Sequence, residues 1–332
     1  MLTRRAFAVC AAAIPLATAC QNGQPGESGS SSSGRTWRRA PDAPYAVQEI
    51  YPALHRGGLW IAGGFSPQAR GATERVIVFD VARQSWRDGP ALPTPSHHVH
   101  LASLNDELWA IGGFLGGDTR TRWICTPRVL KLSGDSWIEG PALPKPIGEA
   151  VPIVHENRIR LIGGRSPRGQ ANAAWNDQGD VADHFVIAPG EGEWSRAEPL
   201  PMARNSAAGV SGARLHVISG RTVASGQTAR HDIYDPRTGR WEEGAAFPEP
   251  RGGLAAALLD GAIVAGGGEI FEPASVGTVL HRFENGAWSR FETLPVSRHG
   301  HGFLVADGAL YALGGAERVS ADGTMARVDV LS

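Results

Sequence analysis

Three arginines, Arg204, Arg251 and Arg298, recur at intervals of 47 residues. The same column reads Val47, Ser96 and Ile147 earlier in the chain. The next column reads Gln48, His97, Gly148, Asn205, Gly252 and His299, and the one after it includes Glu49, His98 and Glu149. A separate set, Phe65, Phe114, Arg165, Arg221, Glu269 and Glu317, follows a recurrent glycine pair. Arginine pairs bidentately with carboxylate or phosphate. Gathered at one place, Arg165, Arg204, Arg221, Arg251 and Arg298 would hold a small anion, with His97, His299, Asn205 and Glu149 beside them. The same arginines also suit bracing between neighbouring sheets, and both readings stand at this level. Trp123 and Trp175 lie in the long segments 114–128 and 165–183. Each offers a face for stacking on a sugar, or an anchor for its own loop.

Other chemistry is poorly served. His98 and His100 alternate, as do His299 and His301, and two such pairs could converge. No fixed ligand motif accompanies them, so neither a metal nor a cofactor is expected. No Ser-His-Asp motif, phosphate loop or HExxH run is visible.

What positions these residues is a repeat. An apolar run ending in small residues returns six times: Leu59–Gly64, Leu108–Gly113, Ile159–Gly164, Leu215–Gly220 (with Ser219 for the first glycine), Ala262–Gly267 and Leu310–Gly315. Trp37, Trp86, Trp137, Trp194, Trp241 and Trp288 keep step, each followed seven residues later by a proline. A fixed period of this size means repeated supersecondary units. Each unit reads as four short strands, with a Gly/Asn/Asp turn between the first two. The glycines allow close backbone approach, and each Trp fills the wedge towards its neighbour. The first Trp precedes the first glycine pair, and a strand near Ala326–Leu331 has no Trp after it. The segment around Trp37 is therefore expected to complete the last unit and close a ring.

Apolar–Gly–Gly runs, aromatic-Asp strands such as Tyr234–Trp241, then Trp and a Pro-rich turn, resemble kelch repeats. The resemblance covers residues 36–332 and implies an all-β, six-bladed kelch-type β-propeller whose loops meet at a central mouth. In size and compartment the chain resembles the bacterial, exported N-acetylneuraminate epimerase family of kelch proteins, which interconvert sialic acid anomers. That family's acidic residue follows a glycine in the fourth blade, where this chain has Arg221; Glu269 holds the place one blade later. On this resemblance Glu269 would be catalytic, Arg251 and Arg298 would hold a carboxylate, and Arg221 would orient the acid. Galactose oxidase, a copper enzyme, shares the kelch-type fold. Its tyrosine–cysteine cross-link has weak support here, since Tyr45, Tyr51, Tyr234 and Tyr311 face a single body cysteine, Cys125.

The 332 residues are 42% hydrophobic with a formal net charge of −1, which argues against a general nucleic-acid binder. Positive charge is nearly all arginine; Lys131 and Lys145 are the lysines. Cys125, in an apolar context, reads as a small buried hydrophobe. Residues 1–20 read as a signal peptide: Arg4-Arg5 precede a short apolar stretch ending at Ala19-Cys20, a twin-arginine export pattern. Cys20 is a candidate lipidation site. Residues 21–35 are Gly/Ser-rich and form a tether spanning roughly 20 Å. Sequence therefore points to a periplasmic propeller, lipid-anchored in one form, whose mouth binds an anionic small molecule, a glycan or a partner protein. The alternative is a sugar epimerase or mutarotase.

Overall fold

Apolar strands of four or five residues, punctuated by residues that tolerate positive φ, can only bury both faces by stacking sheet on sheet. A computed structural model of the chain describes residues 34–116 and 122–332. The expected signal segment with Cys20, and most of the Gly/Ser tether, lie outside the described residues. No helix among the described residues is long and apolar enough to cross a membrane. The helical turn there is Trp175–Asp177.

Among the described residues, six antiparallel sheets with a four-strand path follow in chain order, beside smaller two- and three-stranded ones. The first consists of Ala53–His55, Gly58–Ala62, Val76–Asp80 and Ser85–Asp88. In the sixth, Gly302–Ala306, Ala309–Leu313 and Val328–Leu331 are joined by Trp37–Arg39 from the other end of the described chain. Trp37 pairs with Leu331 and Arg39 with Asp329. Thr36 and Ser332 exchange backbone hydrogen bonds of 2.9 and 3.2 Å. The turns at Arg56-Gly57, Asn105-Asp106, Glu156-Asn157, Asp260-Gly261 and Asp307-Gly308 have positive φ at both residues, as tight hairpins require.

The apolar core is divided in the same way. Separate clusters lie between consecutive sheets, and one packs Leu59, Ile61, Ile77 and Phe79 of the first sheet on Tyr311, Leu313, Val328 and Val330 of the sixth. The repeat tryptophans add a polar tie. Trp86, Trp137, Trp194, Trp241 and Trp288 donate Nε1–H to the carbonyls of Pro41, Pro90, Pro141, Glu198 and Ala245, at 2.8 to 3.0 Å. Each bond reaches back one repeat.

At one end the inner strands are stitched to their neighbours. Glu49, His98, Glu149, Ser206, Gly253 and Gly300, one from each repeat, all have φ between 50° and 67°. His98 N donates to Glu49 O, Ser206 N to Glu149 O, Gly253 N to Ser206 O, Gly300 N to Gly253 O and Ile50 N to Gly300 O, at 2.8 to 3.2 Å. This backbone belt fixes where each of those side chains starts.

The glycine pair takes two distinct conformations. The first residue has φ of 54° to 73°, within reach of an L-residue, and Ser219 occupies that place in the fourth repeat. The second has φ of 83° to 103° and is glycine in every repeat. In the fifth repeat the pair is Gly267-Gly268, one residue later than the sequence pattern suggests.

Candidate functional site

The belt and the residues after the glycines enclose a cavity of about 660 Å³. Its floor carries Glu49, His98, Glu149, Arg221 and Glu269, and its walls include Phe65, Trp123, Trp175 and Phe271. Two of the expected columns pair here by backbone bridges: Gln48 with Phe65, His97 with Phe114, Gly148 with Arg165, Asn205 with Arg221, Gly252 with Glu269 and His299 with Ala316. Ala316, not Glu317, therefore completes this ring, because the sixth glycine pair ends at Gly315.

Three carboxylates face this cavity, and each is held differently. Glu269 Oε1 accepts from Arg221 Nη1 at 2.9 Å, and Oε2 from the Ser320 N–H at 2.8 Å. Glu149 Oε2 accepts from Ser206 Oγ at 3.0 Å. Its Oε1 is buried without a hydrogen bond, 3.8 Å from His98 Nε2 and 4.0 Å from Arg165 Nη1. Glu49 Oε2 lies 2.9 Å from His98 Nε2. Burial pushes the Glu49 carboxyl up, but His98, and then His299 and Arg221, outweigh it and bring it down to about 2. Burial likewise opposes charge on Arg221, and Glu149, Glu269 and Glu49 more than compensate, so its pKa is raised.

Several expected residues support the cavity from behind. His97 is buried between Phe65 and Phe114, with ring centroids at 4.0 and 5.2 Å, and burial holds its pKa well below the usual value. Its Nε2 contacts Arg122 O at 2.7 Å; His299 Nε2 contacts Arg318 O at 2.8 Å in the matching place. Asn205 donates to Asp180 at 2.6 Å and accepts from Arg221 Nε at 3.2 Å. Arg165 is buried under Trp175, 3.8 Å from its ring centroid, and donates to the carbonyls of Trp175 and Gln178. The two long loops clasp each other: Asn172 exchanges hydrogen bonds with the Cys125 backbone at 2.8 and 2.9 Å, and Trp123 N donates to Ala173 O. Trp123 and Trp175 thus anchor loops and also line the cavity. Cys125 is buried, and burial raises its thiol pKa.

The first arginine column is a correction. Arg204, Arg251 and Arg298 do not line the cavity. Arg204 is fully buried; it donates to Asp232 at 2.6 Å and to the carbonyls of Ser219 and Val217. Arg298 pairs in the same way with Asp329 and donates to Ala312 O and Gly314 O. Burial brings Arg298 down to about 10 despite Asp329. Arg251 instead reaches Ser275 Oγ at 3.2 Å. The difference follows from the third strand, where Asp232 and Asp329 have His281 as their counterpart in the fifth sheet. The mouth is therefore not an arginine ring but a mixed network of three carboxylates with Arg221 and His98. His100 is also structural: Nδ1 donates to Ile111 O and Nε2 accepts from Ala150 N–H, tying two sheets. Among the described residues no cluster of three His, Cys, Asp or Glu has metal-holding geometry.

Glu49 and His98 were legible only as members of a column, and nothing local marked them above Glu149. The column that holds all three is visible in the sequence; its left-handed turn at the mouth is visible only in the fold.

A sheet stack tied end to end, with a polar mouth at one end, defines a β-propeller. No family model matches the chain. Over 169 residues it is 26% identical to kelch repeat and BTB domain-containing protein 1 of Vaccinia virus (strain Copenhagen), covering 48% of this chain and 28% of that protein. Over 180 residues it is 28% identical to Kelch-like protein 34 of Homo sapiens, covering 51% and 27% respectively. The chain thus matches little more than a quarter of the length of these relatives. The solved structure of YjhT superposes with a TM-score of 0.73 at 18% identity, covering 88% of this chain and 96% of that one. The chain is a kelch-repeat β-propeller.

Proposed function

We infer that the mouth binds a saccharide. The observation that carries this reading is the pairing of aromatic walls with an ionisable floor in one cavity of sugar size. Trp123, Trp175, Phe65 and Phe271 offer apolar faces, while Glu49, Glu149 and Glu269 are acceptors for hydroxyl groups and Arg221 is a donor for an acidic or neutral sugar. With two of the three column arginines committed to sheet bracing, hydroxyl recognition has more support than recognition of a bare anion. A second reading, a sugar epimerase or mutarotase, is favoured by the acid and base groups standing together on the floor.

A glycan array followed by calorimetry on the hits tests this. Trp123→Ala and Trp175→Ala should each weaken binding about tenfold, the loss of one stacking contact. Unchanged affinity in both variants would remove the mouth as the site. Glu269→Gln should weaken binding similarly, because it breaks the pair with Arg221.

We also place the propeller outside the cytoplasm, tethered through Cys20, on the strength of the twin-arginine pattern and the Gly/Ser segment. Metabolic labelling with a palmitate analogue should mark the wild type and not Cys20→Ala; label retained by that variant would refute the anchor.

A further inference from the structure

We propose that Glu49 and His98 form the proton-transferring pair of the mouth, and that His97 is the positioning residue that fixes the tautomer of His98. The proposal rests on the saccharide reading of the same cavity. It follows from where the protons must be. The Arg122 carbonyl can only accept, so His97 Nε2, at 2.7 Å, carries a hydrogen. His97 is buried and held neutral, so its Nδ1 is a bare lone pair. His98 Nδ1 lies 2.7 Å from that lone pair and must be the donor. The other nitrogen of His98, Nε2, faces Glu49 Oε2 at 2.9 Å. One mobile proton is therefore shared between His98 Nε2 and Glu49, and both residues line the cavity.

The charged and titratable neighbours leave this pair intact. Glu149 Oε1 lies 3.8 Å from His98 Nε2, and His299 Nδ1 lies 3.7 Å from Glu49 Oε1. The Arg221 guanidinium favours the Glu49 carboxylate form. Glu269 is less suited to moving a proton, since both its oxygens already accept hydrogen bonds. The left-handed backbone of Glu49 and His98, and the bond from His98 N to Glu49 O at 3.0 Å, hold the pair in register.

The ligand class that uses such a pair is a reducing sugar in its ring form. Glu49 takes the proton of the anomeric hydroxyl while His98 Nε2–H protonates the ring oxygen. The ring C–O bond breaks with its electron pair going to the ring oxygen, and the former O–H pair becomes the carbonyl bond. The proton on Glu49 then passes to His98 Nε2, which restores the pair. No electron and no net proton is consumed.

Two measurements on the whole protein decide the proposal. Side-chain nitrogen NMR should find a hydrogen on His98 Nδ1 in both the wild type and Glu49→Gln, with the Nε2 signal differing between the two. His97→Asn should release the neutral Nε2–H form. A wild-type His98 with bare Nδ1, or one unaffected by Glu49→Gln, overturns the proposal. Anomer exchange of N-acetylneuraminic acid, N-acetylmannosamine and glucose, followed by saturation-transfer NMR, should slow at least about 100-fold in Glu49→Gln at saturating sugar, and His97→Asn should shift its pH profile. An undiminished rate in Glu49→Gln refutes the pair while leaving the mouth as a binding site. If none of these sugars binds the wild type, the saccharide reading fails for them, and the proton positions alone decide the pair.

Discussion

Arg204→Met will destabilise the protein by about 3–5 kcal/mol, measured as a fall in the urea midpoint at unchanged slope. The guanidinium is buried and donates to Asp232 and to the carbonyls of Ser219 and Val217. Removing it leaves buried acceptors without a donor, and the pair between the partly exposed Arg230 Nε and Asp232 Oδ1 at 2.9 Å replaces little of it. The double variant Arg204→Met, Asp232→Leu should recover most of the loss, because an apolar pair of similar volume carries no desolvation cost. Ligand affinity of the folded single variant should equal that of wild type, which an arginine at the mouth would not allow. A loss below about 1 kcal/mol would show that the pair does not brace the sheet.

Gly113→Ala should cost about 3 kcal/mol or more, read from thermal unfolding. Two effects add. Gly113 has φ +83°, beyond the left-handed region open to L-residues. A Cβ there would also lie 2.6 Å from His98 O and 2.7 Å from His97 O, backbone atoms that cannot swing aside. The right comparison is Gly57→Ala, which is left-handed as well but has open space around the added carbon. That change should cost about 1 kcal/mol. Equal costs at the two sites would mean that close approach between the strands plays no part.

The fourth repeat shows why sequence alone could not read the glycine pair fully. Ser219 is tolerated because φ +54° suits an L-residue and because its Oγ donates to Arg251 O at 3.0 Å. Elsewhere a Cβ at the first position would crowd the equivalent carbonyl, as for Gly112 against Ile147 O at 2.5 Å. The pattern "small, then glycine" is visible in the sequence; the two separate reasons for it are not. The one-residue slip in the fifth repeat has the same origin. Gly266, Gly267 and Gly268 are identical as letters, and their backbone angles alone say which two form the pair.

The columns behaved unequally. Counting from the prolines aligned Val47 with Arg298 and Gln48 with His299 correctly, because strand length and turn length repeat locally. Whether a column faces the cavity is not a local property. Arg204 and Arg298 turn into their own sheets because Asp232 and Asp329, 28 and 31 residues further on, meet them on the third strand. The same pairing of an arginine with a later Asp was present in the sequence. The fifth repeat lacks it, with His281 in that place, and Arg251 goes elsewhere.

By itself the sequence determined the repeat, the strand order within each unit and the strand that joins the two ends. These depend on short-range spacing, which the chain states six times over. The charge pattern of the mouth was decided by tertiary structure alone. It depends on which side chains the left-handed belt directs inward, and on partners contributed by other strands and neighbouring repeats. Glu49, His98 and His97 illustrate this: their roles follow from three interatomic distances of 2.7 to 2.9 Å that no spacing rule contains.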